Sequence, residues 1–136
     1  MQRTAECACG QLRVLVEGDP FTVAVCSCTS CQKRTGSAFG IAAFFDRENQ
    51  LVSIEGRHKA FRRTSQSGRW IEHHFCSECG STVFWYGERF LGKIGIAAGS
   101  FADPDFPAPQ AAVWDVTRYR WIDFPTSLKI FQEGIS

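Results

Sequence analysis

Seven cysteines dominate the chemistry available to this 136-residue chain, and they are clustered. Cys7 and Cys9 form C-x-C, Cys26, Cys28 and Cys31 form C-x-C-x-x-C, and Cys76 and Cys79 form C-x-x-C. A zinc–thiolate bond of about 2.3 Å sets tetrahedral sulfurs roughly 3.8 Å apart. Residues two apart on an extended strand project to one side, and a C-x-x-C turn brings its two sulfurs together. Each cluster can therefore reach one small ion without ordering a long loop. Gly10 and Gly80 directly follow Cys9 and Cys79, where a tight knuckle needs a positive φ. Seven ligands divide naturally into four and three. Cys7, Cys9, Cys76 and Cys79 complete a tetrahedral shell that staples the N-terminus to the middle of the chain. Cys26, Cys28 and Cys31 chelate a second metal locally and leave one position for water or substrate. Two Zn²⁺ per chain are expected on this division, one in a closed structural shell and one in an open shell.

Other readings of the thiols compete. The C-x-x-C of Cys28 and Cys31 is also the spacing of a redox-active dithiol that closes reversibly. All-thiolate shells also hold iron. Structural disulfides would leave one thiol over and would need an oxidising compartment. Lys33 and Arg34 follow the open cluster directly, where two cations can offset thiolate charge or hold a substrate carboxylate. An ordinary solvated pair is the alternative. Thr35-Gly36-Ser37 offers a turn with hydroxyls near the open cluster. His58, His73 and His74 lack metal-ligand spacing and read as surface or hydrogen-bonded side chains. His74 shares a strand face with Cys76, which makes it a candidate support for the closed site. Asp103 and Asp105 lie among prolines and suit turn chemistry.

The elements that must position these residues are short strands. Leu12, Val14 and Val16 alternate within Gln11 to Glu17, and Phe21, Val23 and Val25 alternate in the next stretch. A cysteine-rich loop is expected from Cys26 to Cys31. Ser37 to Phe45 is small and apolar, as in a strand buried on both faces. Leu51 to Glu55, Lys59 to Thr64, Trp70 to Phe75, Thr82 to Tyr86, Leu91 to Ala98 and Ala111 to Val116 complete the set. Three prolines make Asp103 to Pro109 a loop, and the tail after Pro125 suits a short helix carrying Leu128 and Phe131. Regular short strands and turns point to one antiparallel, mainly β domain over residues 1–136, with most of the twelve Phe and four Trp packed between two sheets.

Composition narrows the function classes. A net charge of +1 is far from the basic excess of a nucleic-acid binder. No apolar run approaches the roughly 20 residues of a membrane span. Met1 to Glu6 has no apolar stretch after its charge, so no secretion signal is expected, and a reducing cytoplasmic location follows as the expectation.

Cys7-Ala8-Cys9-Gly10, Cys26-Ser27-Cys28-Thr29-Ser30-Cys31-Gln32 and Phe75-Cys76-Ser77-Glu78-Cys79-Gly80 together resemble the glutathione-dependent formaldehyde-activating enzyme family. Arg34-Thr35-Gly36-Ser37-Ala38-Phe39 and Gly99-Ser100-Phe101-Ala102-Asp103-Pro104 are similar to later family segments, as are Trp121 and Pro125, so the resemblance spans nearly the whole chain. It implies a β-tent of small packed sheets around a structural zinc on Cys7, Cys9, Cys76 and Cys79, with a catalytic and labile zinc on Cys26, Cys28 and Cys31. It also implies a carbon–sulfur lyase that joins a small thiol, glutathione, to a small aldehyde, formaldehyde; beside the open cluster, the cations Lys33 and Arg34 suit the clamping of peptide carboxylates. Two departures stand out: Ser27 and Ala112 occupy positions where the family often has histidine. The alternatives of other classes are a non-enzymatic β-tent binding module and a redox-active dithiol protein. No cysteine follows Cys79, which removes the nucleophile a methionine sulfoxide reductase of similar fold would need.

Overall fold

A computed structural model describes residues 1–134. The strands in chain order are β1 (Gln2–Glu6), β2 (Arg13–Glu17), β3 (Thr22–Cys26), β4 (Gly40–Asp46), β5 (Leu51–Glu55), β6 (His58–Thr64), β7 (Trp70–Cys76), β8 (Thr82–Gly87), β9 (Lys93–Ala97), β10 (Ala111–Val113) and β11 (Lys129–Ile130). One α-helix, α1 (Thr29–Thr35), interrupts them among the described residues. The strands form a three-stranded sheet in the order β1-β2-β5 and an eight-stranded sheet in the order β11-β10-β3-β4-β9-β8-β7-β6. The fold is mainly β, as expected.

Alternation assigns a job to each face of the large sheet. Val23 of β3, Ala43 and Phe45 of β4 and Ile94 and Ile96 of β9 pack into one core with Ala5, Leu12, Val14 and Val16 of the small sheet. Phe45, Leu12, Ile94 and Ile96 are completely buried. The intervening residues turn to the other face, where a cleft forms. Its floor is a row of small side chains, because Ala24 lies opposite Ala42 and Ala42 opposite Ala97. The next row runs Phe44, Gly95, Trp85, His73 across four strands. Gly95 is required there. A Cβ at this position would run into the Trp85 ring.

The structure departs from the expected elements in several places. The large sheet is mixed at one edge, where β10 runs parallel to both β3 and β11. A long connection through the proline-rich segment delivers β10 in that direction, which a tight hairpin cannot do. The cysteine-rich loop ends early, because Cys28 caps α1 through its sulfur. Seven residues are too few for helical periodicity to register in sequence. The tail forms β11 instead of a helix. There Lys129 donates to the Gln110 carbonyl and Phe131 to the Ala112 carbonyl, which covers the β10 edge. β1 has too few apolar residues to announce itself. The strand expected to be buried on both faces, β4, buries one face and lines the cleft with the other. Several aromatics lie outside the core: Phe21 is 68% exposed, Phe61 60% and Trp121 76%. Asp103 serves its turn as expected, accepting from the Asp105 backbone N–H at 2.9 Å.

Gly95→Ala should therefore destabilise the protein by about 1–3 kcal/mol through overpacking against Trp85, read as a lower midpoint in urea unfolding with an unchanged slope.

Candidate functional site

The structure brings the cysteines together in the four-and-three division. The sulfurs of Cys7, Cys9, Cys76 and Cys79 all lie within 4.8 Å of one another, and so do those of Cys26, Cys28 and Cys31. All seven are free thiols. In the set of four, Cys7 to Cys9 is 3.6 Å and Cys9 to Cys76 is 3.7 Å, close to the roughly 3.8 Å edge of a zinc–thiolate tetrahedron.

Donors around this closed set are arranged for anionic sulfur. Leu12 N–H reaches Cys7 Sγ at 3.3 Å, and the N–H groups of Glu78 and Cys79 each reach Cys76 Sγ at 3.3 Å. Gln11 Nε2 donates to the same sulfur at 2.9 Å. The Ser81 hydroxyl, its backbone N–H and that of Cys9 bring the Cys79 thiol down to about 5. Gln11 had no signal in the sequence, since its role depends on Arg57, whose N–H donates to Gln11 Oε1 from 46 residues away. His74 does not support the cluster: its Nε2 bonds Glu72 at 2.9 Å and its ring stacks on Phe84.

The set of three sits where β3 runs into α1. Cys28 is the N-cap, accepting from Cys31 N–H at 3.3 Å. Gln32 Nε2 donates to the carbonyls of Ser27 and Thr117, each at 2.9 Å, and so pins the chelating turn to the segment after β10. Thr35 turns its hydroxyl to the Cys31 carbonyl, so the expected hydroxyl turn serves helix termination. Hydrogen bonds from Cys26 and Cys31, then backbone N–H groups, push the Cys28 thiol down. Cys26 is pushed up by those same thiol contacts and by burial.

Cys26 and Cys31 open onto the cleft, which encloses about 340 Å³. Arg34 lines it too. Gly40 leaves room for this guanidinium, since a Cβ there would stand 2.7 Å from Arg34 Nη2. Arg34 lies over the Trp85 ring at 4.7 Å, and its buried Nε has no partner. Lys33 belongs to a separate surface pocket with Tyr119 and Trp121. Arg63, Arg89 and Lys93 join Arg34 around the cleft, and no carboxylate residue lines it among the described residues. Sequence reading missed Arg63, His73, Trp85 and Arg89. Strand alternation places Arg63, His73 and Trp85 on a face, and Arg89 follows in the turn after β8, but only cross-strand pairing shows that they converge on one cleft with Cys26. Ser27 and Ala112 do not line the cleft; Ala112 packs with Val25 and Leu128 on the opposite side of the sheet.

His73 is buried against Trp85 with ring centroids 5.4 Å apart. Burial, then the charges of Arg34 and Arg63, lower its pKa to about 3. The fold thus favours neutral imidazole. Its contribution to stability is complete above the unfolded value of 6.5 and is lost as pH falls toward 3. His73→Phe should flatten this acid limb: the parent-minus-variant difference in unfolding free energy should fall between pH 7 and pH 4 in urea titrations.

The profile of the glutathione-dependent formaldehyde-activating enzyme family matches residues 2–117. A Halomonas elongata protein that carries the name of this enzyme is 27% identical over 111 residues, covering 79% of this chain and 69% of its own. A crystal structure of a Rhodobacter sphaeroides protein shares the fold with a TM-score of 0.57 at 18% identity, covering 76% of this chain and 92% of its own. With a family match across most of its length and both cysteine clusters assembled, the chain belongs to the glutathione-dependent formaldehyde-activating enzyme family.

Proposed function

We propose that the protein joins glutathione, or another small thiol, to formaldehyde or a related small aldehyde, as a carbon–sulfur lyase of the S-(hydroxymethyl)glutathione synthase type. A structural zinc on Cys7, Cys9, Cys76 and Cys79 and a catalytic zinc on Cys26, Cys28 and Cys31 complete the proposal. The observation that carries it is a three-sulfur cluster, one ligand short of a closed shell, opening onto a cleft lined by cations. Zinc at this cluster would offer a vacant position and lower the pKa of a thiol there.

The chain's own residues supply the rest. Arg34 stands beside Cys31 and opposes negative charge on the substrate sulfur and on the aldehyde oxygen. The cationic lining of the cleft draws in an anionic peptide thiol. Lys33 adds to the positive field from its neighbouring pocket. Phe44, Trp85 and Phe90 exclude water from the meeting point. In the reaction an S–C bond forms and the carbonyl π pair moves to oxygen. The proton given up by the thiol ends on that oxygen as a hydroxyl. A cytoplasmic setting, in which all seven thiols stay reduced, belongs to the same reading. No helix among the described residues is long and apolar enough to cross a membrane.

A reversible Cys28–Cys31 disulfide is the second reading, favoured by the Cys28 thiol, pushed down at the start of α1. Metal analysis separates the two. The purified protein should hold two zinc ions, and Cys28→Ala should hold one, stay folded and form S-(hydroxymethyl)glutathione at least about a hundredfold more slowly. One zinc in both proteins would favour the dithiol. Chelation should act in two stages, since the closed shell is tied to folding: activity is lost first, and cooperative unfolding only when the second ion leaves.

A further inference from the structure

Formaldehyde has one carbon and glutathione is a polar tripeptide, yet the cleft is mostly apolar. Phe21, Phe44, Trp85, Phe90 and Trp114 wall it, and Ala24 and Ala42 form its floor. Phe44 and Phe90 meet edge to face with centroids 4.7 Å apart. Phe21 remains 68% exposed at the rim, with Lys93 Nζ 4.7 Å from its ring centre. At about 340 Å³ the cleft exceeds the cavity of about 150 Å³ that already holds a benzene molecule. Its charges have one sign. Among the described residues, no carboxylate lies within 4.0 Å of Arg34, Arg63 or Arg89, while Lys93 has Asp46 at 3.5 Å. His73 stays neutral, so it adds neither charge nor a counter-ion. An aromatic trough ringed by guanidinium groups, with no carboxylate in its lining among the described residues, is complementary to a ligand with an apolar body and an anionic end.

We propose that this cleft recognises an amphipathic organic anion, an aryl- or alkyl-bearing carboxylate, and that the aldehyde joined at Cys26, Cys28 and Cys31 carries such an apolar body. The second clause rests on the reading of the site as the meeting place of thiol and aldehyde. The first stands on the cleft alone. The larger aldehyde reacts with the same balance: its carbonyl carbon gains the S–C bond and its oxygen receives the proton released by the thiol. The apolar body lies over the Ala24–Ala42 floor, between Phe44 and Trp85. Arg63 and Arg89 take the anionic end.

The test uses the zinc-loaded full chain and three probes followed by calorimetry: 4-phenylbutyrate, butyrate without the ring, and 4-phenyl-1-butanol without the charge. Phenylbutyrate should bind at least about tenfold more tightly than either partial probe. Phe44→Ala should erase the advantage over butyrate. Arg63→Gln with Arg89→Gln should erase the advantage over the alcohol and reduce the salt dependence of binding. Equal binding of phenylbutyrate and butyrate, or no saturable binding of phenylbutyrate at millimolar concentration, overturns the proposal. Parallel assays of glutathione with formaldehyde and with benzaldehyde keep the two readings apart. Phenylbutyrate binding without turnover of either aldehyde refutes the lyase reading alone. Formaldehyde turnover without phenylbutyrate binding refutes the cleft proposal alone. Turnover of formaldehyde in clear preference to benzaldehyde overturns its aldehyde clause.

Discussion

Four sulfur atoms join the two sheets at one end of the molecule. Cys7 and Cys9 follow the first strand of the small sheet, and Cys76 closes β7 in the large one, 67 residues beyond Cys9. Cys7 and Cys76 are also part of the same buried cluster as Leu12, Val14 and Val83. The contact that gathers the ligands is thus continuous with the contact that stacks the sheets. Fixing the ends of so long a loop has a conformational cost that rises with the logarithm of its length. A metal held there would offset that cost, and the hydrogen bonds from Gln11, Leu12, Glu78 and Cys79 already aim the sulfurs at one point.

With the stack fixed, the large sheet separates two functions by the oldest rule of strand geometry. Odd and even positions of β4 do different work: Ala43 and Phe45 hold the fold, and Ala42 and Phe44 line the cleft. Neither set can shift by one residue without exposing the core and filling the cleft. The precision of the site is therefore borrowed from the core. α1 adds Cys31 and Arg34, brought onto one side because they are three positions apart on a helix.

The cysteine clusters were legible in the linear sequence because the spacing that lets sulfurs meet is largely local. Cys26, Cys28 and Cys31 need only their own turn, and the pairs Cys7–Cys9 and Cys76–Cys79 announce incomplete shells that need each other. Most strands were legible too, where alternation was clean, as in Leu12, Val14 and Val16. The cleft was not. Trp85 and His73 belong to different strands, and their adjacency follows from a β7–β8 register that also contains a bulge after His74. β1, β11 and α1 were hidden for another reason. Each is short or weakly apolar, and each owes its conformation to an edge it covers or a cap it accepts.

One sulfur has two duties. Cys28 belongs to the three-sulfur cluster and also caps the N-terminus of α1, through its hydrogen bond from Cys31 N–H. Electron density given to an electrophile by this sulfur is withdrawn from the helix end. An aldehyde that reacts with Cys28 itself, instead of the incoming thiol, would remove a ligand and loosen the turn that carries Cys31 and Arg34 in one event. On the proposed reaction the protein would thereby be open to inactivation by its own aldehyde substrate, and an ample supply of competing thiol would protect it.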